Sequence, residues 1–363
     1  MKKIFIGATR QNDGKTMTSI GLAMGFKKLT EKIGFIKPVG QRYVEIDGYK
    51  VDEDSVLIEK ICGFGCKLKD MSPIAIERGF TEKYIRKPDN GVLIGKIRKS
   101  FAKVAEGKDL MIIEGTGHAG VGSVFDMGNA TVARLLGSKV VMVTIAGIGR
   151  PIDEIMLNKA LFEKEGVELI GVIVNKVIPE KLDRIKEVVG MALKRKRIDL
   201  LGVIPYRRRL TWPTVGQVLE NLNARLINGE VSLSNQVENI IIGAMTHHQA
   251  LDYFSKRTLI ITPGDREDMI LAVISSSAIY QNKKQCFSGM ILTGKVMPNK
   301  SIMRLISKTD IPVLDVDTDT YTAASRVHDL VVKIRENDKD KIQAAVKLIE
   351  ENVDINRLYN RLD

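Results

Sequence analysis

Long hydrophobic runs are absent from this chain of 363 residues, and nothing in it approaches the eighteen or so uncharged apolar residues of a membrane helix. The opening "MKKIFIGATR" starts as a secretory leader does, but Arg10 and Asp13 interrupt it before an apolar core has accumulated, so Ile4 to Ile6 are expected as a buried strand. A cytoplasmic protein without membrane contact is the expectation. Cysteine is scarce: Cys62, Cys66 and Cys286 give no even set and no C-x-x-C spacing, which argues against a disulfide framework and a zinc site. Histidine is limited to four residues, and the adjacent pair His247-His248 is expected to diverge by about 100° on a helix and so not to chelate one ion. Tryptophan occurs once, as Trp212 before Pro213, where it is expected to pack a loop rather than stack a base.

Positive charge, by contrast, is in excess, at a formal +12. The basic residues are spread along the chain, and the denser runs "KRKR" (194–197) and "RRR" (207–209) fall near expected element ends. Solvated faces account for them better than a nucleic-acid patch does, so nucleic acid is not the expected partner.

Short apolar runs alternate with amphipathic stretches over the first two hundred residues. "KIFIGA", "IGFIKPV", "DLMIIEGTG", "KVVMVTIAG", "LIGVIVNKV" and "LLGVIP" read as strands, with helices over 16–29, 129–136 and 152–165 between them. Strands buried on both faces appear as continuous Val/Ile/Leu runs, and alternation with helices implies parallel crossovers. The expected fold is a doubly wound, mostly parallel α/β sheet spanning residues 1–223. Polar residues loosen the pattern over 224–238, the expected linker. A second, smaller α/β alternation follows over 239–350, with "NIIIGAM", "TLIITPG", "FSGMILTG" and "IPVLDVD" as strands, and a helical tail over 351–363.

The chemistry concentrates at "TRQNDGKT", where Gly14-Lys15-Thr16 follows the first strand and opens the first helix. That context is the mechanism of a P-loop: glycine admits the anion, helix amides and Lys15 bind it, and Thr16 offers a hydroxyl to Mg²⁺. The first position departs from the pattern, because Thr9 stands where glycine is usual. Thr9, Arg10, Gln11, Asn12, Asp13, Gly14, Lys15, Thr16 and Met17 form the expected phosphate cradle. Glu114, closing "LMIIEG", and Asp54, in "VDEDSVLIE", are the expected carboxylate ligands of the metal beside Thr16. Lys37 ends "GFIKPVG" and is expected to face the phosphates; Asn175 and Lys176 end "GVIVNKV", where the amide suits an adenine edge, and Pro205 opens a loop that could cover the base. His118 follows Glu114 in a loop and is either a ligand contact or a loop cap. The turn Pro263-Gly264-Asp265-Arg266 would either receive a small anionic ligand or a nucleotide, or be braced by its own Asp and Arg.

In order along the chain, "GKT", "KPVG", "DEDSVL", "EGTGHAGVGSVFDMGNATVARLLG", "VNK" and "GVIP" resemble the dethiobiotin synthetase branch of P-loop proteins. The likeness is closer to the corresponding N-terminal region of long phosphate acetyltransferases, and it continues through "IIIGAMTHHQALDYF" and "LIITPGDREDMILA", which look like a DRTGG domain. The resemblance implies ATP and Mg²⁺ as cofactors, Lys15 and Lys37 as the catalytic cations, Thr16, Asp54 and Glu114 as metal ligands, and Asn175 at adenine. It also implies a homodimer, with a metabolic enzyme partner or an anionic effector at the DRTGG-like region. The acetyl-transferring domain is not expected in this chain, and "GTGHAGVGS" after Glu114 departs from the "GAGG" type of a synthetase substrate site. A Mg²⁺–ATP-binding regulator is therefore the first expectation and an ATP-dependent ligase the second.

Overall fold

The computed structural model describes every residue except 280–286, 331, 333 and 337. Cys286 lies outside the described residues. The described chain divides into two compact units, Met1–Arg207 with Ile334–Asp363, and Arg208–Lys333.

In the first unit six strands, β1 (Lys2–Ala8), β2 (Ile33–Ile36), β3 (Leu110–Glu114), β4 (Lys139–Ile145), β5 (Leu169–Val177) and β6 (Leu200–Pro205), form one sheet in the order β6-β5-β4-β1-β3-β2. Every pairing in it is parallel. The six apolar runs of the sequence are these six strands, and their near-continuous burial reflects helices on both faces. β1 lies centrally, with the later strands on one side of it and β3 and β2 on the other, so the chain reverses direction across the sheet beside β1. At such a reversal the crossovers leave on opposite faces and a crevice opens beyond the carboxyl ends of the strands. The loop 9–14 emerges there.

Helix α1 (Lys15–Phe26) follows that loop and is buried around most of its circumference. Gly21 and Gly25, one turn apart, explain how. A Cβ at Gly21 would overlap Ile349, and one at Gly25 would overlap Ile355. The groove admits the helix Lys339–Asn352 and the start of Ile355–Asn360. Val353 then bridges antiparallel to Gly202 in β6, Lys28 pairs with Glu350 at 2.7 Å, and Asp199 holds Arg357 at 2.9 Å.

Two boundaries differ from those expected. The helix Lys339–Asn352 belongs to the first unit and not to the second, because its apolar face, with Ala345, Leu348 and Ile349 buried, is covered by α1 and β6. The expected linker 224–238 is structured: Arg225–Asn228 forms a strand antiparallel to Val313–Asp315, closed by an Arg225–Asp315 ion pair at 2.7 Å. Hydrogen bonds from Asn228 Nδ2 to the carbonyls of Thr309 and Ile311 satisfy polar residues that had read as loop.

The second unit is a five-stranded sheet, parallel except for Arg225–Asn228 at one edge; the other four strands are Asn239–Ile242, Thr258–Pro263, Phe287–Thr293 and Val313–Asp315. Val215, Val218, Leu222, Ala323 and Val327 pack on one face of it. Ala250, Met269, Ile270, Val273, Ile302 and Ile306 pack on the other.

Candidate nucleotide site

The loop after β1 is held from both sides by side chains. Asp13 is buried, and its Oδ2 accepts from Thr9 Oγ1 and from the Arg10 amide, each at 2.8 Å. Its main-chain carbonyl accepts from Asn175 Nδ2 at 2.8 Å, and the carbonyl of Asn12 accepts from Lys176 Nζ at 2.7 Å. Gly14 stands at φ +101°, and a Cβ there would collide with the Asn175 amide, so glycine is required twice over. The Arg10 guanidinium turns away from the loop to an ion pair with Glu154, which also binds Arg150 at 2.9 Å. Gln11, which is exposed, donates to Gln41 at 3.0 Å.

Helix α1 opens beneath this loop with neither a side-chain cap nor an acidic residue in its first turn. Among the described residues no side chain caps its first amides, which leaves them and the positive dipole end available to an anion. Lys15 is 9% exposed, and among the described residues its ammonium makes no hydrogen bond or ion pair. Burial draws its pKa below the ordinary lysine value, with the Glu114 charge opposing. A buried ammonium without a hydrogen-bonded counter-ion is costly unless an anion joins it.

Glu114, at the end of β3, is 1% exposed and accepts from Ser19 Oγ at 2.6 Å and from Thr16 Oγ1 at 3.2 Å. Lys37, just beyond β2, lies among three carboxylates: Asp52 at 3.0 Å, Glu114 at 3.5 Å, and Asp54 in direct contact. Burial works against that ammonium, yet Asp54, Glu114 and Asp52 outweigh it and hold its pKa above the ordinary lysine value. Glu114 and Asp52 shift upward through burial, with Lys37 countering in both cases. Asp52 also caps the helix Glu53–Cys62 by accepting from the Asp54 amide at 2.9 Å, which fixes the direction of Asp54.

Thus Thr9, Asp13, Gly14, Lys15, Thr16, Lys37, Asp54, Glu114, Asn175 and Lys176 come together around the carboxyl ends of β1, β3 and β5. Three of them act differently from expectation. Asn175 is buried, with Nδ2 on Asp13 and Oδ1 accepting from the Lys176 amide at 2.8 Å, so it braces the loop instead of presenting its amide to adenine. Lys176 likewise serves Asn12. Lys37 is neutralised by carboxylates rather than standing as a free cation toward a phosphoryl group. Pro205 ends β6 next to Val177, half-buried, and Met17 sits half-buried in the first turn of α1. His118 is exposed and its Nδ1 accepts from the Gly120 amide at 3.2 Å, as a loop cap does. Ser19, Asp52, Thr144 and Glu154 were missed; Ser19 follows Thr16 and Lys15 by three and four positions, so helix periodicity alone places all three toward one side.

Magnesium takes oxygen ligands at 2.0–2.1 Å in octahedral geometry, which sets neighbouring ligand oxygens about 3 Å apart. Thr16 Oγ1 and Glu114 Oε1, at 3.2 Å, fit such an edge. Among the described residues no group of three acidic, histidine or cysteine side chains is arranged to hold a metal ion, and the three carboxylates that do converge, Asp52, Asp54 and Glu114, surround the Lys37 ammonium. Asp54 faces Lys37.

Residues 2–214 match the AAA domain family, which is more than half of the chain. The chain belongs to that family. Residues 217–330 of this AAA domain protein match the DRTGG domain. Along 99% of its length it is 28% identical to a phosphate acetyltransferase of Nitratidesulfovibrio vulgaris, and along 99% it is 26% identical to one of Synechocystis. It spans 51% of each, so it covers about half the length of these curated relatives. Among solved structures it is similar to the MinC:MinD cell division complex of Aquifex aeolicus, with 18% identity over 58% of this chain and 84% of that one, at a TM-score of 0.35. The CBS and DRTGG domains of a Clostridium perfringens pyrophosphatase, complexed with diadenosine tetraphosphate, match 46% of this chain and 78% of that one at 16% identity and a TM-score of 0.29. No helix among the described residues is long and apolar enough to cross a membrane.

In the second unit Arg266 donates to the carbonyls of Gly243 and Met245, both at 2.8 Å, and binds Asp268 through Nε at 2.9 Å. The turn is thus braced by Arg266 with Asp268, where the sequence leaves an Asp265-Arg266 pair as one of two alternatives. His247 and His248 do not diverge: their rings stack with centroids 4.9 Å apart, because His247 is the first residue of a five-residue helix and its side chain is not yet held by a preceding turn. The Arg257 guanidinium lies 5.1 Å from the Trp212 ring centre, so the ring meets a residue distant in sequence within the second unit.

Proposed function

We propose that the chain binds Mg²⁺–ATP at the loop 9–17, with the amides that open α1, Lys15 and Thr16 as its contacts, and acts as a nucleotide-dependent regulator, its DRTGG unit passing the bound state to a metabolic partner. One observation carries the nucleotide reading: among the described residues the buried Lys15 ammonium makes no hydrogen bond or ion pair, and it stands at a helix start without a side-chain cap. A phosphate would supply the missing counter-charge to both. Mg²⁺, when bound by Thr16 and Glu114, would neutralise phosphate charge. The whole-length match to half of several phosphate acetyltransferases supports a regulatory setting near that reaction, and a homodimer is part of the same reading.

The ligase alternative requires a cation free to face the transferred phosphoryl group. Lys37, the residue expected to face the phosphates, is already occupied by Asp52, Asp54 and Glu114. The regulator is therefore preferred.

Calorimetry tests the reading. Micromolar or tighter ATP binding with Mg²⁺ is expected for the wild type, with Lys15→Ala losing at least tenfold while the thermal unfolding midpoint is retained. Equal binding by both proteins would contradict it. An ADP-release assay across candidate carboxylate acceptors then separates regulator from ligase, since only a ligase accelerates with an acceptor.

A further inference from the structure

Glycine is usual at the first position of such a loop, because the backbone there must turn tightly, yet this chain has Thr9. It also carries a buried acid, Asp13, inside a loop that would bind an anion. Each departure is unfavourable alone: the threonine stiffens the turn, and the carboxylate repels a phosphate. Together they make a bond, and we propose that Thr9 and Asp13 form a side-chain staple that sets the loop's curvature, making Asp13 a positioning residue for the nucleotide that does not touch it. The proposal rests on the nucleotide reading above.

The hydrogen-bond directions close consistently. Thr9 Oγ1 donates its single proton to Asp13 Oδ2 at 2.8 Å, so its 2.9 Å contact with Thr144 must be one in which the Thr144 hydroxyl donates. Thr144 lies on β4, and the staple is thereby tied to the sheet. The same carboxylate oxygen takes the Arg10 amide, while the Arg10 side chain is drawn off by Glu154. Asn175 on β5 holds the other end of residue 13 by its carbonyl. Residue 13 is consequently fixed through its side chain and its main chain, and Gly14, which follows it, is aimed into the helix start. Burial raises the Asp13 pKa while the Thr9 and Arg10 bonds oppose that rise, as expected where the carboxylate is kept for its acceptor geometry.

Charge and geometry can be separated. Asparagine at 13 keeps an oxygen acceptor for both donors and removes the charge; alanine removes both. If the staple positions the loop, Asp13→Asn binds Mg²⁺–ATP at least as tightly as wild type, whereas Asp13→Ala and Thr9→Val each weaken binding about tenfold. The double variant Thr9→Val/Asp13→Ala is then weaker than wild type by less than the sum of the two single losses, because the two changes share the Thr9–Asp13 bond while each also removes a bond of its own, to Thr144 and to the Arg10 amide. Tighter or unchanged binding by Asp13→Ala would overturn the proposal, and so would Asp13→Asn as weak as Asp13→Ala. Hydrogen exchange of the Arg10 amide in nucleotide-free protein gives a second readout: protection is expected in wild type and Asp13→Asn and its loss in Asp13→Ala. Protection that survives in Asp13→Ala refutes the staple. Wild-type protein that shows the protection pattern yet binds no ATP refutes the nucleotide reading instead.

Discussion

At the scale of single residues, the chain shows how burial decides what a side chain can do. Cys62 is buried and its thiol is pushed up to about 12, so it stays protonated at neutral pH. Thiolate, not thiol, is the nucleophile. Cys62 in the native protein is accordingly expected to resist iodoacetamide at pH 8 and to react only on denaturation, a result that peptide mass mapping would check. Asp268 is the converse case. The Arg266 hydrogen bond lowers its pKa from 3.8 to about 2. Because the folded value lies below the unfolded one, its contribution to stability is present above about pH 4 and lost as pH falls toward 2. Both groups are partly exposed, so the effect is modest. In urea titrations followed by Trp212, which lies in the second unit, Arg266→Gln is expected to lower the midpoint at pH 5, with the gap from wild type narrowing as pH approaches 2.

Among elements, α1 joins the site to the core. Its first five residues include Lys15, Thr16 and Ser19; its second half carries the Gly21 and Gly25 groove occupied by Ile349 and Ile355. Glycine in a helix interior costs about 1 kcal/mol against alanine. Two such residues one turn apart are offset here by the close approach of another helix. Ile349 is fully buried, and truncation of such a side chain to alanine costs about 2–5 kcal/mol. Chemical denaturation of Ile349→Ala is expected to show a loss in that range. The six parallel strands were legible in the sequence because a strand covered on both faces writes itself as an uninterrupted apolar run. Arg225–Asn228 was not legible, since an edge strand of "RLIN" is held by Asn228 and Arg225 reaching partners some eighty and ninety residues away.

For the molecule as a whole, the chain leaves the first unit after Arg207 and returns to it at Ile334. The second unit is thus inserted into the first. Removing residues 334–363 should strip the cover from α1 and leave the second unit's own core intact. Hydrogen exchange of the truncated protein is therefore expected to accelerate across α1 and β6 and to stay unchanged across Thr258–Pro263 and Phe287–Thr293. Uniform acceleration in both units would contradict the assignment of these helices.

The sequence by itself determined the sheet, the position of the phosphate loop and most of the residues that meet there, Ser19, Asp52, Thr144 and Glu154 excepted, because strand burial, helix periodicity and glycine requirements are local and leave a local record. Only the tertiary structure decided what those residues do to one another. Asn175 grips Asp13, Lys37 sits among three acids, and the last helices fold back on α1. Each of these depends on pairings between positions far apart in the chain, and an amphipathic helix or a polar side chain specifies that it needs a partner without specifying which one.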